Sequence, residues 1–425
     1  MTGAPHVRSY YAATAHPAPA RPALAGEATA DICVVGAGFT GLSAALHLAQ
    51  RGYGVRVLEA NKVGWGASGR NGGQALVGVA AGVPQTCRLL GEAWARSIWE
   101  LSLAAVDRQQ ALIQRHAIDC DYRPGYLHAA WKPRHLPAIE EELAQLQAWG
   151  YDDSRLVSAE EARAMVVGPG YAGGLYDRRS GHLHPLNYAL GLAAAAEAAG
   201  ARIHDDTSAL AIERANGLTV RTDAGQVRCR HVVLAGNAYL SHVGAEIASR
   251  VLPVGTYILA TEPLDEALAD ALIPGRICVS DSKRILDYYR LSPDRRLIFG
   301  GRADRASERP EDLAASLGRR MQALFPSLGE IRIAHLWHGI VAITRNRLPH
   351  IGRLDGDIYF AQGYCGHGVA LTTLVGELIA EAVAGTAERF DVFARIPHRP
   401  LPGGRAAAHW LRDLATLWYR LLDAL

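Results

Sequence analysis

Six residues near the start of the chain, Gly36-Ala37-Gly38-Phe39-Thr40-Gly41, have the spacing that lets a backbone wrap a diphosphate. In such a run Gly36 permits a tight turn, Gly38 lets the main chain approach a pyrophosphate, and Gly41 keeps the following helix close to its strand, with Thr40 beside it. The run follows the apolar stretch Asp31-Ile32-Cys33-Val34-Val35 and precedes Leu42, Ala45, Leu46 and Leu48, which fall on one helical face. A helix N-terminus at that place favours negative charge. Glu59, 18 residues after Gly41 and next to Ala60, ends the strand-like Val55-Arg56-Val57-Leu58. Its carboxylate can accept hydrogen bonds from an adenosine ribose; a solvated strand end is the plainer reading. Strand, glycines, helix and acid in this order predict a dinucleotide site.

A second loop narrows the choice of dinucleotide. Gly64-Trp65-Gly66-Ala67-Ser68-Gly69-Arg70-Asn71-Gly72-Gly73-Gln74 is long and glycine-rich, as close contact with an extended cofactor requires, and Ser68 and Arg70 can bond phosphate. This favours FAD over NAD. The alternative is an exposed flexible loop, against which stands the cost of leaving Trp65 in water. Far later, Gly363-Tyr364-Cys365-Gly366-His367-Gly368 precedes another helical stretch, and backbone amides there can donate to an electron-rich isoalloxazine carbonyl.

Periodicity supplies the elements that would hold these motifs. Residues 31–60 read as a βαβ unit. Helical spacing recurs over 85–120, 138–149, 185–199 and 311–325, and strands fall at 201–204, 218–221 and 227–234. Residues 251–261, 285–291 and 296–301 suggest a separate antiparallel sheet. A strand at 357–361 and a helix over 369–384 rejoin the nucleotide-binding part. Residues 1–30, rich in Ala and Pro and without a helical period, read as an arm leading into the first strand.

Composition excludes several classes. A 425-residue chain that is 49% hydrophobic is long enough for two domains. With 44 Lys and Arg against 42 Asp and Glu, the formal charge is +2, which offers no basic surface for nucleic acid. Cys33, Cys87, Cys120, Cys229, Cys278 and Cys365 form no C-x-x-C pair, so neither a disulfide scaffold nor a metal site is expected. No basic region followed by a long apolar run stands at either end; we expect no membrane span, and a cytoplasmic protein.

At the loop Gly64 to Gln74 the sequence resembles the glycine oxidase, sarcosine oxidase and D-amino acid oxidase superfamily, which uses FAD to oxidise amines or amino acids. That string, preceded by Leu58-Glu59-Ala60, is most similar to the gamma-glutamylputrescine oxidase branch, as are Ser9-Tyr10-Tyr11, Leu286-Asp287-Tyr288-Tyr289-Arg290 and Arg296-Leu297-Ile298-Phe299-Gly300-Gly301. The resemblance spans about residues 9–390 and continues weakly into Trp418-Tyr419-Arg420. It implies an α/β (α+β overall) fold, in which a Rossmann-like FAD-binding domain is interleaved with an antiparallel-sheet substrate domain. The corresponding division is an arm over 1–27, FAD-binding segments 28–86, 155–245 and 336–390, substrate segments 87–154 and 246–335, and a tail with an amphipathic helix over 391–425.

The resemblance also implies roles. Nucleotide contacts fall near Ala209 and at Ala235-Gly236-Asn237, and Leu348-Pro349-His350-Ile351-Gly352 matches the start of the late flavin signature. Arg70 and Asn71 stand where some members carry a covalent histidine link, so noncovalent FAD is expected. Tyr288, Arg290, Trp337, His338 and His367 are the candidate substrate-side residues. Strand alternation points Tyr288 and Arg290 one way and Tyr289 the other. Arg290 can hold a carboxylate or a structural ion pair; Trp337 can cover apolar carbons or pack a core; His338 and His367 can move protons near neutrality or serve structure. Lys283 reads more readily as a solvated strand edge than as an oxygen-activating cation. The implied reaction is hydride transfer from a primary amine, gamma-glutamylputrescine-like, to flavin N5, with imine hydrolysis to an aldehyde and molecular oxygen reduced to hydrogen peroxide. Alternatives are a secondary amine or amino acid such as sarcosine, glycine or a D-amino acid, a dehydrogenase with another electron acceptor, and a flavin-binding paralogue without turnover.

Overall fold

The computed structural model describes residues 3–401 apart from 216, 241–242, 284, 302–309 and 331. The amphipathic segment expected around Trp410, Leu414, Leu417, Trp418 and Leu421 lies outside the described residues.

Strand Ile32–Val35 is buried at all four positions, which its unbroken apolar run requires. It pairs in parallel with Val55–Leu58 on one side and His231–Leu234 on the other. The sheet reaches six strands in the order His350–Leu354, Ile358–Gln362, His231–Leu234, Ile32–Val35, Val55–Leu58, Arg202–His204, and only the first pairing is antiparallel. Alternation then divides two cores. Ile32, Val34 and Val57 face helices Phe39–Gln50, Pro185–Ala198 and Leu371–Val383, while Cys33, Val35 and Leu58 face a four-stranded sheet. That second sheet joins Gly26–Thr29 to Gly225–Cys229, Gly217–Arg221 and Ala211–Ala215.

A third sheet runs Ile333–Thr344, Val251–Thr261, Leu297–Gly301, Asp287–Leu291, Cys278–Asp281, Arg123–Ala129, Gly174–His182 and Gln74–Ala75, with Ser154–Val157 paired to Gly174–His182 as a ninth strand. Its pairings are antiparallel except that of Cys278–Asp281 with Arg123–Ala129. One face, with Leu127, Val279, Tyr289 and Phe299, forms an apolar core with Leu317, Met321 and Phe325, the first two from helix Pro310–Leu324. Tyr126, His128, Ser280 and Tyr288, on the alternate positions, form the opposite face.

Several segments sit differently from the sequence expectation. Ser154–Val157, Gly174–His182 and residues 336–344 of strand Ile333–Thr344 fall wholly or mostly in segments assigned to the cofactor side, yet they pair in the nine-stranded sheet. Helix Glu92–Arg115 was assigned to the substrate side, yet Ile98, Val106 and Leu112 pack in the core beneath the parallel sheet. Alternation marks a strand or helix but carries no information about its distant partner. The N-terminal arm is also more ordered than expected: Tyr10–Ala13 forms one helical turn, capped by Ser9, that buries Tyr10 and Tyr11 against Trp337 and Ile258. Among the described residues no helix is long and apolar enough to cross a membrane.

Helix Phe39–Gln50 lies unusually close to its strand, for a Cβ on Gly41 would stand 1.9 Å from the Gly36 carbonyl oxygen. Gly41→Ala is therefore expected to cost at least the ~1–3 kcal/mol typical of overpacking, read as a lowered melting temperature together with loss of bound flavin.

Candidate active site

The first glycine run forms a tight cradle. Gly36 has φ +105°, which favours glycine, and a Cβ there would press on the Ala235 carbonyl at 3.0 Å and on the Gly236 nitrogen at 3.1 Å. Gly38 starts the helix without a side-chain cap of its own; instead the Phe39 N–H donates to Ser68 Oγ at 3.0 Å. Glu59 is buried at the end of its strand and accepts from the Ala37 and Asn61 N–H groups at 2.8 and 3.0 Å. Burial raises its carboxyl to about 7, an effect those two bonds reduce. Thr40 Oγ1 and the Tyr364 hydroxyl are 2.9 Å apart, so the early and late motifs meet directly. Ala60 is exposed behind Glu59, and Ala209 packs against the core of the four-stranded sheet.

Arg70 is the decisive side chain of the second loop. It is 5% exposed, donates from Nε to the Trp65 carbonyl at 2.6 Å and from Nη1 to the His338 carbonyl at 3.4 Å, and covers the Trp65 ring at 4.0 Å. Its Nη2 is buried without a partner. Leaving a charged donor so costs several kcal/mol unless an acceptor arrives, which is what an anionic or carbonyl-rich cofactor provides (about 1–3 kcal/mol per unmet polar group, more when charged). Asn71 shapes the loop, donating to the Ala67 and Ser68 carbonyls and accepting from Gly73 N–H. Gly69 and Gly73 allow close backbone approach to the Gly64 and Leu183 carbonyls, and Gln74 Nε2 donates to the Val279 carbonyl.

Between these loops and the polar face of the nine-stranded sheet lies a cavity of ≈ 550 Å³. Tyr288 and His367, two of the five expected substrate-side residues, line it. The Tyr288 ring fits between Gly72 and Gly300, whose Cβ atoms would fall 2.6 and 2.1 Å from it, and burial pushes its hydroxyl up. His367 Nε2 lies 2.8 Å from the Val77 carbonyl, an acceptor only, so that nitrogen carries the proton and Nδ1 keeps its lone pair. Burial lowers the His367 pKa and favours the neutral ring. Gly366, with φ +84°, has open space where a Cβ would stand, and it too borders the cavity. Gly363 and Gly368 instead pack tightly against Thr344 and Tyr364.

The other three residues lie elsewhere. Arg290, 2% exposed, donates to the Gly72, Leu183 and Leu291 carbonyls and to the Tyr11 hydroxyl, so its guanidinium is spent tying the flavin loop to the sheet and the arm. Trp337 is packed in the Tyr10–Tyr11 cluster and donates to the Arg70 carbonyl at 2.9 Å. His338, one position on, is exposed on the reverse side beside Tyr257. Lys283, read as a solvated strand edge, is instead 14% exposed, ion-paired with Asp281 and Asp287 at the cavity wall, and set over the Trp131 ring. Sequence reasoning also missed Tyr126, His128 and Ser280 on the wall. The signal was present in the alternation Tyr126-Leu127-His128-Ala129, polar against apolar.

The family described as FAD dependent oxidoreductase (DAO) matches residues 31–382. The chain belongs to this family. Within the DAO family it is 41% identical over 421 residues to the gamma-glutamylputrescine oxidoreductase of Escherichia coli (strain K12), covering 99% of both chains, and 40% identical to a probable oxidoreductase OrdL of Haemophilus influenzae, covering 98% of this chain and 97% of that one. Among solved structures, glycine oxidase from Geobacillus kaustophilus superposes with a TM-score of 0.71 at 22% identity, over 84% of this chain and 95% of that one. The chain is thus an FAD-dependent oxidoreductase acting on amine or amino-acid substrates, with FAD as its cofactor. The residues fit that group: a diphosphate cradle that side chains would fill, an uncapped helix N-terminus, and an unmet buried guanidinium.

Two expectations follow. Arg70→Met keeps the bulk but removes the charge, and should yield folded protein by circular dichroism with most of its flavin lost. For Glu59, the folded-state value near 7 exceeds the ordinary 4.5, so the folded chain holds the proton longer than the unfolded chain. Its contribution to stability is full below pH 4.5 and is lost as pH rises through about 7, by at most ~3 kcal/mol. Melting curves of flavin-depleted protein should therefore show Glu59→Gln gaining on the parent between pH 5 and 7.5.

Proposed function

We propose that this DAO-family enzyme oxidises the terminal primary amine of a gamma-glutamylputrescine-type substrate to an imine, which water converts to an aldehyde, with oxygen reduced to hydrogen peroxide. The observation that carries the substrate reading is the 41% identity to gamma-glutamylputrescine oxidoreductase across essentially the whole of both chains. The cavity, bordered by the flavin loops on one side, has a volume of ≈ 550 Å³, within the range of small-molecule sites. FAD, when bound, would accept the two electrons of the α C–H bond as the carbon–nitrogen bond becomes C=N. The protein's own work is placement and proton control. The Tyr288 phenol, wedged between two glycines, provides a fixed wall with one polar tip. Neutral His367 presents Nδ1 as an acceptor for a proton of the incoming ammonium, since only the free amine can yield electrons from its α carbon. The apolar residues Leu252, Val254 and Ile340 on the cavity wall disfavour water there.

We take the FAD to be noncovalent. Cys365, in the late glycine loop, is buried with its Sγ directed to the Thr344 N–H and to the Gly363 carbonyl, and burial raises its pKa, which disfavours the reactive thiolate. Acid precipitation should accordingly release all the yellow colour into the supernatant.

Anaerobic mixing with gamma-glutamylputrescine, putrescine, sarcosine, glycine and D-alanine tests the substrate. Bleaching of the flavin by the first at the lowest concentration, then rapid return of colour with peroxide on admitting oxygen, is the expected result. Bleaching only by an amino acid would overturn the amine reading, and slow return of colour would make the enzyme a dehydrogenase.

A further inference from the structure

The cavity has a second polar region whose charge the flavin cradle does not use. Glu142, on helix Leu136–Ala148, borders the cavity and accepts one hydrogen bond, from the Val83 N–H to Oε1 at 3.3 Å. Asp177 also borders the cavity and is 2% exposed. Its acceptors are engaged by the Tyr151 hydroxyl, the Ser154 hydroxyl and the Ser180 N–H, all neutral donors. Among the described residues neither carboxylate has a Lys or Arg partner. The two act on the same place: the Tyr126 hydroxyl is raised by burial first, with smaller contributions from Cys278, Glu142 and Asp177.

The rest of the cavity is arranged against this. Of its cationic groups, Arg70 lies in the flavin loop and the charge of Arg347 reaches His367, while Lys283 on the wall is already paired with Asp281 and Asp287. Between the ends, Val83, Trp99 and Leu146 belong to one apolar cluster, and Leu146 lies one helical turn beyond Glu142 on the same face. Six residue steps separate Val77, whose carbonyl holds His367, from Val83, whose N–H holds Glu142, so the two lie at most ~20 Å apart. An apolar stretch of wall, with a carboxyl that has no Lys or Arg partner at its far end, fits a polymethylene chain carrying a second ammonium.

We propose that Glu142, supported by the field of Asp177, is a specificity-determining residue that receives a second, remote ammonium group, so that the enzyme selects diamines and their aminoacyl conjugates over simple monoamines. This rests on the amine-oxidation reading above. Burial pushes the Glu142 carboxyl up, and an arriving ammonium favours its ionised form, which couples binding to that charge. The role competes with a purely structural one, in which Glu142 caps helix Val83–Leu90, whose Gly82 offers no side-chain cap. A cap would affect the melting temperature of any variant and leave ligand preference untouched.

The test uses the FAD-loaded enzyme, its flavin reduced beforehand so that no turnover occurs, titrated calorimetrically with α,ω-diamines of four to eight carbons and with the n-alkylamines of equal length. The parent should bind its preferred diamine at least tenfold more tightly than the matched monoamine. Glu142→Gln, which can still accept the Val83 N–H, should bring that ratio close to one with monoamine affinity unchanged, and Glu142→Asp should retain part of it. A ratio near one in the parent, or an undiminished ratio in Glu142→Gln, overturns the proposal. Oxidised-flavin bleaching by gamma-glutamylputrescine is read in parallel: diamine selectivity in binding with no bleaching by that compound would leave the Glu142 site standing and remove the gamma-glutamylputrescine reading.

Discussion

Everything at the active site depends on how closely helix Phe39–Gln50 is held between its neighbours. On one side Gly41 lets it touch the carbonyl of Gly36; on the other a Cβ on Gly376 would stand 2.5 Å from the Ala44 nitrogen, and the Ser43 hydroxyl donates to the Thr373 carbonyl across the same gap. Two glycines far apart in sequence thus press one helix between a parallel strand and helix Leu371–Val383. Its N-terminus is aimed as a result, and Thr40 comes within hydrogen-bond distance of Tyr364. The diphosphate cradle and the late glycine loop belong to one rigid contact rather than to two separate motifs.

Electrostatics explains the second tier of organisation. Buried guanidinium and ammonium groups are costly, and the protein resolves each in a different way. Arg290 is surrounded by carbonyls and the Tyr11 hydroxyl and so becomes a brace. Lys283 shares the carboxylates of Asp281 and Asp287, the latter also paired with Arg320, and burial leaves Asp281 at about 6 even beside that lysine. Among the described lysines and arginines Arg70 is the one with a buried donor unmet, and it lies in the cofactor loop.

The sequence was most legible where chemistry is local. The first glycine run, its strand and helix, and the acid at position 59 could be read because the turn, the close approach and the helix N-terminus all arise within about thirty residues of a single βαβ unit. Helices Pro185–Ala198 and Leu371–Val383 and strand Val251–Thr261 were legible for the same reason, as uninterrupted periodic runs. Legibility failed where a partner lay far away. Nothing in the string around Gly174–His182 tells that it joins Arg123–Ala129 rather than the parallel sheet. Nothing around Arg290 tells that three carbonyls wait for it, and Trp337 and His338 are both carried away from the cavity, one to the arm cluster and one to the exposed side, by the alternation of a strand whose inner face was unknown.

The order of strands in the parallel sheet bears on how the chain is made. His231–Leu234 sits between Ile32–Val35 and Ile358–Gln362, so Val232 has Cys33 on one side and Ile358 on the other. During synthesis the first two of these strands emerge long before the third, and an unfilled parallel edge persists while more than a hundred further residues are translated. Such long-range pairing gives a high contact order and slow folding. Because the same late segment carries the glycine loop ahead of helix Leu371–Val383, the nascent protein has no complete place for its flavin until nearly the whole chain has left the ribosome. Flavin supply in the cell therefore acts on a chain in which that strand and its loop are already translated.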